Sequence, residues 1–456
     1  MVIFAGIVNP AISGSLELHL EGERLTLHAE SAGLQDILRA IAKQGIAVQV
    51  DPLLNPEISI SFYNKDIQQG LKSIFKSLGY VLIWESVSGS SDIYLAEIQV
   101  FEQGRKAFIK PLKIRDSFDI ARNPENGSLF VRDEILLRRK MGMPLAEFEK
   151  IINNINGIIT DKNDVLGIYK VQLPENTDIP ALVKELGKIS NIAGAEPNYA
   201  YPISLPYRNI AGNPSFPEHN FSFASAGTAS VAVLDSGLLP GYGLDELVVA
   251  SLDAVNPENS ISDGLGHGTQ MALIASGVIK PDGVLDNDKE AVPVIPIRAF
   301  DDNGVTSSFS IMNSIDFALE KGARVLSLSW GSDTKSKFLE QAMEYADSKN
   351  LIVVASAGNE PTGKPVWPAA FPSVICVGAL GPDGKPWDKS NYGSFVDLSA
   401  PGFASMPIGY KGEPGAYAGT SIATAYVTNI IARYLSKHPG ASKQEVLTKG
   451  LGIKDQ

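Results

Sequence analysis

Gly419-Thr420-Ser421 delivers a serine to the start of a strongly apolar stretch that runs to residue 435. A serine at a helix N-terminus has its hydroxyl oxygen near unpaired backbone N–H groups, which favour negative charge developing there. A hydroxyl alone is a weak nucleophile, so it needs a base within hydrogen-bond reach and a carboxylate that orients this base. The chain supplies a candidate for each.

A carboxylate and an imidazole precede this serine. Residues 231–234 are an apolar run that leads into Asp235-Ser236-Gly237, which predicts a buried strand with Asp235 at its carboxyl end. Gly266-His267-Gly268-Thr269 opens a second helical stretch, and no other histidine of the five has such a setting. With these segments in this order, the chain resembles the subtilisin-like serine peptidases, whose triad runs Asp, His, Ser along the sequence.

The resemblance covers residues 230–436 and assigns a role to each catalytic group. It implies that His267 takes the proton of Ser421 and that Asp235 orients His267. Ser356-Ala357-Gly358-Asn359 follows another apolar run and resembles the family segment whose asparagine, here Asn359, stabilises the oxyanion. The resemblance also implies a substrate cleft, for which the candidate residues are Ser329, Trp330, Gly331, Ala357, Gly358 and Val366.

Two side chains of this cleft bear on specificity. Trp330 stands in the segment that pairs with substrate in relatives, so its ring would crowd a pocket; an ordinary core aromatic is the alternative. Val366 matches the base of the pocket for P1, the residue before the scissile bond, and predicts a preference for small P1 side chains. Gln270 and Ala425 stand where relatives often have histidine and proline, and neither departure removes a catalytic group.

Each segment also has a simpler interpretation. Asp-Ser-Gly alone is usually a turn, Gly-His-Gly a loop and Gly-Thr-Ser a helix cap, but their joint order favours catalysis. The competing function is an envelope binding or signalling protein that retains a peptidase fold held inactive by its own N-terminal domains. Because no triad member is missing, we favour a serine endopeptidase made as a zymogen.

The predicted chemistry requires no cofactor, and no metal ligand is assigned. An acidic cluster after the His267 helix lies where relatives often bind calcium, so calcium binding stays open, and a solvated acidic loop is an equal alternative. The cluster consists of Asp282, Asp286 and Asp288. Asp301-Asp302-Asn303-Gly304 reads as a turn.

Residues 230–456 alternate apolar strand patterns with helical stripes, which predicts a subtilisin-like doubly wound parallel sheet. The strand candidates are residues 231–234, 292–297, 325–329, 351–355 and 374–379. Two small α/β (α+β) domains are predicted before this peptidase domain.

Residues 15–100 form the first of them, because two strand-and-helix cycles follow one another there. Residues 34–51 and 58–84 are similar to the short N-terminal domain of secretins and TonB-dependent receptors. The resemblance implies protein contacts in the bacterial envelope, and a simple α/β spacer is the alternative.

Residues 104–201 form the second small domain and end in Glu196-Pro197-Asn198-Tyr199, which resembles the end of the inhibitory propeptides of subtilisin-like enzymes. The resemblance implies a ferredoxin-like chaperone domain packed on the peptidase surface with its tail in the cleft; an unrelated adapter is the alternative. Prolines interrupt residues 202–229, which predicts a linker. Self-cleavage is expected near Ser204, with Tyr201 in a pocket beside Trp330, unless residues 1–201 stay attached.

Composition limits the classes of partner and the cellular compartments that we expect for this protein. The 456 residues carry a net charge of −12 without a dense run of Lys and Arg, which argues against nucleic acid as a partner. The single cysteine, Cys376, excludes an intrachain disulfide. Residues 1–14 resemble a truncated signal peptide, with a first strand as the alternative, and nothing else approaches the length of a membrane span. We therefore expect a secreted or periplasmic protein.

Overall fold

The computed structural model describes residues 16–453 except for residues 23, 43, 45, 52–53, 87–92, 103, 105, 107–108, 113–117, 205, 210–221, 224–226, 258, 285–289 and 410–412. The signal-peptide interpretation of residues 1–14 lies outside the described residues. The chain divides into two compact units, with the boundary between Asp116 and Ser117. No helix in the described ranges is long and apolar enough to cross a membrane.

In its described residues, the first unit contains two small sheets and two helices. Its elements are β1 (Leu16–Glu21), β2 (Arg24–Gly33), α1 (Leu34–Ala42), β3 (Ala47–Val50), β4 (Glu57–Asp66), α2 (Ile67–Ile74), β5 (Gly79–Ser86), β6 (Ile93–Phe101) and β7 (Lys110–Pro111). The sheets have the strand orders β1-β2-β4 and β5-β6-β3-β7. Both predicted strand-and-helix cycles are present, and Asp66 caps α2 by accepting a 3.1 Å hydrogen bond from the Gln69 backbone N–H.

The first unit extends beyond its predicted end at residue 100. Strand β7 pairs with the edge of β3, and the Leu112 backbone N–H donates a 2.8 Å hydrogen bond to the Val48 carbonyl. The predicted start of the second domain at residue 104 was therefore too early. Strand periodicity could not reveal a two-residue strand whose partner lies about sixty residues earlier in the chain.

The next segment has a ferredoxin-like arrangement. Its elements are β8 (Ile120–Arg122), β9 (Leu129–Arg139), α3 (Leu145–Asn154), β10 (Ile158–Asn163), β11 (Ile168–Gln172), α4 (Ile179–Leu186) and β12 (Ile192–Pro202). The strand order β10-β11-β9-β12 is that of a βαββαβ unit in which the first and third strands are central. Phe148 from α3 and Leu186 from α4 are buried with Ile135 and Val171 from the sheet. This segment belongs to the same compact unit as the remaining residues.

The remaining residues form a doubly wound domain. Its elements are β13 (Tyr207–Asn209), β14 (Ser222–Phe223), β15 (Ser230–Asp235), β16 (Leu252–Asp253), α5 (His267–Ala275), β17 (Glu290–Ala291), β18 (Val294–Arg298), β19 (Val305–Ser307), α6 (Ser308–Glu320), β20 (Ala323–Leu328), α7 (Lys337–Ser348), β21 (Ile352–Ser356), β22 (Val374–Leu380), β23 (Leu398–Pro401), β24 (Phe403–Met406), β25 (Gly415–Ala418), α8 (Thr420–Lys437), α9 (Lys443–Glu445) and a π-helical turn (Val446–Gly450).

Seven parallel strands in the order β16-β18-β15-β20-β21-β22-β23 form the main sheet, which confirms the predicted fold class. Every residue of β15 is buried, because both faces of the sheet are covered. Val231 and Val233 pack in the core that contains α5 and α8, whereas Ala232 and Leu234 pack in the core that contains α6 and α7. The five predicted strands all occur in this sheet.

Residues 202–229 are not a free linker in their described part. The Ile203 backbone N–H donates a 2.7 Å hydrogen bond to the Gly304 carbonyl, and β13 pairs with β25. Both contacts use backbone groups at strand edges, which readily accept a further strand. The prediction of a linker is therefore corrected for residues 203–204 and 206–209.

Candidate active site

Asp235 and His267 meet where a strand ends and a helix begins. Asp235 is the last residue of β15 and His267 is the first of α5, and the distance from Asp235 Oδ1 to His267 Nδ1 is 2.7 Å. Both side chains are 1% exposed. The close crossing needs Gly237, which has φ +122° and whose Cβ, if present, would lie 1.8 Å from the Ser262 carbonyl oxygen. The loop after β15 can thereby pass directly under the start of α5.

Asp263 fixes this crossing, although the sequence analysis did not identify it. Its Oδ1 accepts hydrogen bonds of 2.8 Å from the Ser236 hydroxyl and from the Gly266 N–H, and its Oδ2 accepts bonds from the Thr269 N–H and hydroxyl. Asp263 therefore connects the segment after Asp235 with the first turn of the His267 helix. An acidic residue four positions before the histidine, followed directly by Gly264 and then by Gly266, was the available signal.

The surroundings of His267 favour its protonated form. Burial lowers the pKa of the imidazole, but the charge and hydrogen bond of Asp235 and the charge of Asp263 outweigh burial and raise it above the ordinary value of 6.5. Nδ1 faces Asp235, which leaves Nε2 for a reacting group. Within the part of the chain that the structure describes, buried Nε2 has no hydrogen-bond partner.

Ser421 lies in the first turn of α8, which packs against α5. Its hydroxyl is buried and donates a 3.3 Å hydrogen bond to the Ser329 carbonyl, and no hydrogen bond joins it to His267. The serine hydroxyl is therefore turned towards Ser329, on a helix that packs against the helix of His267.

Asn359 lies beside the same helix start with a free amide donor. Its Oδ1 accepts 2.9 Å hydrogen bonds from the Thr420 N–H and hydroxyl, which fixes the orientation of the amide. Its Nδ2 is buried and lacks a hydrogen-bond partner among the described residues. A Cβ built on Gly419 would lie 3.5 Å from Nδ2 and 3.4 Å from the Cβ of Pro206. The chain that follows the ferredoxin-like domain thus passes beside Gly419, which also adjoins Asn359.

The tail of the ferredoxin-like domain pairs with the peptidase domain beside Trp330, one of the residues predicted to line the cleft. Strand β12 pairs antiparallel with β19, with Tyr201 opposite Thr306. The Tyr201 ring is fully buried 5.2 Å from that of Trp330, and its hydroxyl lies 3.1 Å from the Ser308 hydroxyl. Trp330 also packs against Phe300 at 6.1 Å, which agrees with the alternative of a core aromatic, and its role as a pocket wall stays a prediction.

Val366 stands between the two other predicted cleft segments. A Cβ at Gly331 would lie 3.3 Å from Val366 Cγ2, and a Cβ at Gly358 would lie 4.0 Å from the same side chain. Ala357 and Ser329 are buried at the ends of neighbouring strands. The valine therefore closes the space between Ser329-Trp330-Gly331 and Ala357-Gly358.

Two polar residues near the end of β12 dock the ferredoxin-like domain on the helices. At the start of α7, Glu196 Oε2 accepts a 2.5 Å hydrogen bond from the Ser336 hydroxyl. Its Oε1 accepts a 2.8 Å hydrogen bond from the Lys337 N–H. Asn198 Oδ1 accepts a 3.1 Å bond from the Phe309 N–H in the first turn of α6. Burial raises the pKa of Glu196, although these hydrogen bonds oppose the shift. The docking uses N–H groups that a helix itself cannot satisfy.

The structure describes only part of the acidic cluster in which calcium binding was left open. Asp282 is described, whereas Asp286 and Asp288 lie outside the described residues. Among the described residues, no three His, Cys, Asp or Glu side chains are grouped so that they could hold a metal ion. Cys376 is buried, and burial raises the pKa of its thiol.

Family models match both parts of the second unit. The subtilase family matches residues 227–452, and the fervidolysin N-terminal prodomain matches residues 119–198. Fervidolysin from Fervidobacterium pennivorans, described as a keratinolytic enzyme related to subtilisin, shares the fold with a TM-score of 0.57 at 22% identity. The match covers 73% of this chain and 59% of that chain.

Three curated relatives support the same family. Subtilisin NAT of Bacillus subtilis subsp. natto is 32% identical, over 58% of this chain and 70% of the relative. Thermitase of Thermoactinomyces vulgaris is 30% identical, over 49% of this chain and 80% of the relative. The thermophilic serine proteinase of Bacillus sp. (strain AK1) is 28% identical, over 68% of this chain and 79% of the relative. The chain therefore belongs to the subtilase family and is a subtilisin-like serine endopeptidase made as a zymogen with a fervidolysin-like prodomain.

Proposed function

We propose that Asp235, His267 and Ser421 are the catalytic triad of this endopeptidase. The observation that carries the proposal is the buried 2.7 Å bond between Asp235 and His267 Nδ1, which leaves Nε2 free on a helix that packs against α8. Asp235 holds the imidazole with its proton on Nδ1, so Nε2 can accept a proton. The raised pKa of His267 makes Nε2 a stronger base.

In the proposed reaction, the Ser421 oxygen attacks the peptide carbonyl while its proton moves to His267 Nε2. The negative charge that develops on the carbonyl oxygen is stabilised by Asn359 Nδ2 and by the Ser421 backbone N–H. His267 then donates the proton to the leaving amine, and the peptide C–N bond breaks to leave an acyl-serine. Water, deprotonated by His267, releases the acyl group and restores the serine. No step of the proposed reaction uses a cofactor, and calcium binding near Asp282 stays a prediction.

A fluorophosphonate probe tests the nucleophile. The processed wild-type protein should be labelled covalently, and Ser421→Ala should be neither labelled nor able to hydrolyse peptides. Ser348→Ala, at an exposed position in α7, serves as a matched control and should label like the wild type. Peptide hydrolysis by a clean Ser421→Ala preparation would refute the assignment.

We also propose that the zymogen cuts itself between Ser204 and Leu205. Three contacts support this position: Tyr201 lies against Trp330, the Ile203 N–H is hydrogen-bonded to the Gly304 carbonyl, and Pro206 lies beside Gly419. Ser204 is small, which suits a P1 pocket narrowed by Val366. N-terminal sequencing should find a chain that begins at residue 205 and that is missing from Ser421→Ala. An active, uncut chain would instead mean that residues 1–201 stay attached.

The first unit is proposed as a contact domain related to the short N-terminal domain of secretins and TonB-dependent receptors, in a secreted or periplasmic protein. The two strand-and-helix cycles support this relationship, and Tyr63 on edge strand β4 is 85% exposed. Deletion of residues 1–112 should leave self-processing intact and abolish crosslinking to envelope proteins in cells. Unchanged crosslinking would favour the spacer interpretation.

One observation favours the competing function of an inactive binding or signalling protein. The Ser421 hydroxyl bonds to the Ser329 carbonyl rather than to His267. The fluorophosphonate experiment separates the two functions, because an inactive protein would not label after removal of the prodomain.

A further inference from the structure

The segment after the proposed cut is held on the peptidase domain as a strand. In β13, Tyr207 lies opposite Ala418 and Asn209 lies opposite Ala416 of β25, in antiparallel register. Strand β25 leads directly into Gly419 and the Ser421 helix, and β13 covers its open edge in a sheet of order β13-β25-β24. Without β13 this edge of β25 would be open, and an open strand edge can bind an extended peptide through backbone hydrogen bonds.

Tyr207 rests in an aromatic site. Its ring meets the Trp387 ring edge to face with 5.6 Å between centroids, and Lys389 Nζ lies 4.4 Å from the centre of the Tyr207 ring. Trp387 is in turn held by an edge-on contact of 5.8 Å with Phe403. Edge-to-face rings and a cation over a ring are both attractive arrangements. These side chains all belong to the peptidase domain: Trp387 and Lys389 lie in the loop after β22, and Phe403 lies in β24.

Arg208 uses a different surface, because neighbouring side chains of a strand point to opposite faces. Its guanidinium forms a salt bridge with Glu413 and donates a 3.2 Å hydrogen bond to the Pro414 carbonyl. These two acceptors immediately precede β25, so the basic side chain is bound by the same segment that pairs with the backbone.

We propose that these contacts are primed-side substrate sites: Trp387 and Lys389 select an aromatic residue at P3′, and Glu413 selects a basic residue at P4′. The numbering rests on the proposed cut after Ser204, which makes Leu205 P1′ and Arg208 P4′. The substrate class is an extended polypeptide in which an aromatic-basic pair follows the scissile bond by two residues. The zymogen's own sequence is then the first substrate with this pair.

Peptides that differ only at P3′ and P4′ test the proposal on the processed enzyme. Four peptides share the residues of positions 199–206 and continue with Tyr-Arg, Ala-Arg, Tyr-Glu or Ala-Ala. Exchange of Tyr for Ala should lower kcat/KM about 3–10-fold. Exchange of Arg for Glu should lower kcat/KM about 2–5-fold, as expected for an exposed ion pair. If the enzyme's own β13 still occupies the edge, it raises KM for all four peptides alike.

Two variants assign these preferences to their residues. Glu413→Arg should reverse the order of the Tyr-Arg and Tyr-Glu peptides, and Trp387→Ala should remove the preference for Tyr over Ala. Glu344→Arg, an exposed glutamate on α7, is the matched control and should retain the preference for Arg.

Four kcat/KM values within twofold of one another in the wild-type enzyme would overturn the proposal, and so would cleavage at another bond by mass spectrometry. A peptide nitroanilide that ends at P1 has no primed amino acids and reports on catalysis alone. If the enzyme hydrolyses the nitroanilide but cleaves the four peptides with equal kcat/KM, the primed sites are refuted and the proposed function stands. Failure to hydrolyse the nitroanilide would refute the proposed function and the primed sites with it.

Discussion

Replacement of Val366 by glycine should convert the enzyme from a small P1 preference to a large one. The valine side chain fills the space between Gly331 and Gly358, with Cγ2 only 3.3 Å from where a Gly331 Cβ would lie. Its removal takes away three carbon atoms, each of which corresponds to about 0.8 kcal/mol when a substrate carbon takes its place in a buried site. The upper bound is thus about 2.4 kcal/mol, or about 50-fold in relative kcat/KM.

The pocket floor should keep its shape in this variant. Trp367, the next residue, exchanges two backbone hydrogen bonds with Ser332, of 2.9 Å and 2.8 Å, which anchor the segment independently of the valine side chain. Residual closure of the pocket would reduce the gain, so we expect the Phe-to-Ala ratio of kcat/KM to rise about 10–50-fold.

The assay uses two peptide nitroanilides that are identical except for Ala or Phe at P1. Both are measured with the processed wild-type enzyme and with Val366→Gly at the same pH. Val249→Gly, at a position that is 58% exposed, is the matched control and should leave the ratio unchanged. A change of less than twofold in a folded Val366→Gly protein would refute the idea that this side chain limits the P1 pocket.

Separately expressed residues 118–204 should inhibit the processed enzyme, and Glu196→Ala should raise their inhibition constant about 10–150-fold, because the Ser336 hydroxyl and the Lys337 N–H lose a charged acceptor; an unchanged constant would contradict this docking contact. Asp263→Asn should lower the free energy of unfolding by about 1–3 kcal/mol, measured by urea denaturation, because one acceptor of a buried network becomes a donor. The kcat/KM of the processed enzyme should fall as pH falls through the raised pKa of His267, since only the neutral imidazole accepts a proton. In the Ser421→Ala background, NMR titration should show a lower His267 pKa when Asp235 is changed to Asn, and an unchanged value would contradict the stated cause of the shift.

Most of the architecture was predictable because local patterns carried it. The buried runs before Asp235 and Ser356 became central parallel strands, and the stripes after His267 and Ser421 became helices. Parallel strands place their carboxyl ends at one edge of a sheet, so residues that were distant in the chain could be expected to meet. The 2.7 Å contact between Asp235 and His267 agrees with that expectation.

The remaining features depend on tertiary contacts that leave no local pattern. Strand β13 is only three residues long, and its partner β25 lies about two hundred residues later. The network of Asp263 exists because the chain crosses itself at Gly237, and the direction of the Ser421 hydroxyl depends on the Ser329 carbonyl. None of these contacts follows from hydrophobic periodicity or from residue type alone.

The position of the prodomain tail on β19 has a consequence for how tightly the two domains must bind. While the chain is uncut, the tail finds its cleft at an effective concentration on the order of millimolar, whatever the protein concentration. A modest dissociation constant of about 10 μM then suffices for about 99% occupancy of the cleft. Once the bond after Ser204 is broken, that concentration is lost and the same contacts act between separate molecules. Latency should therefore be independent of dilution before the cut and should disappear on dilution after it.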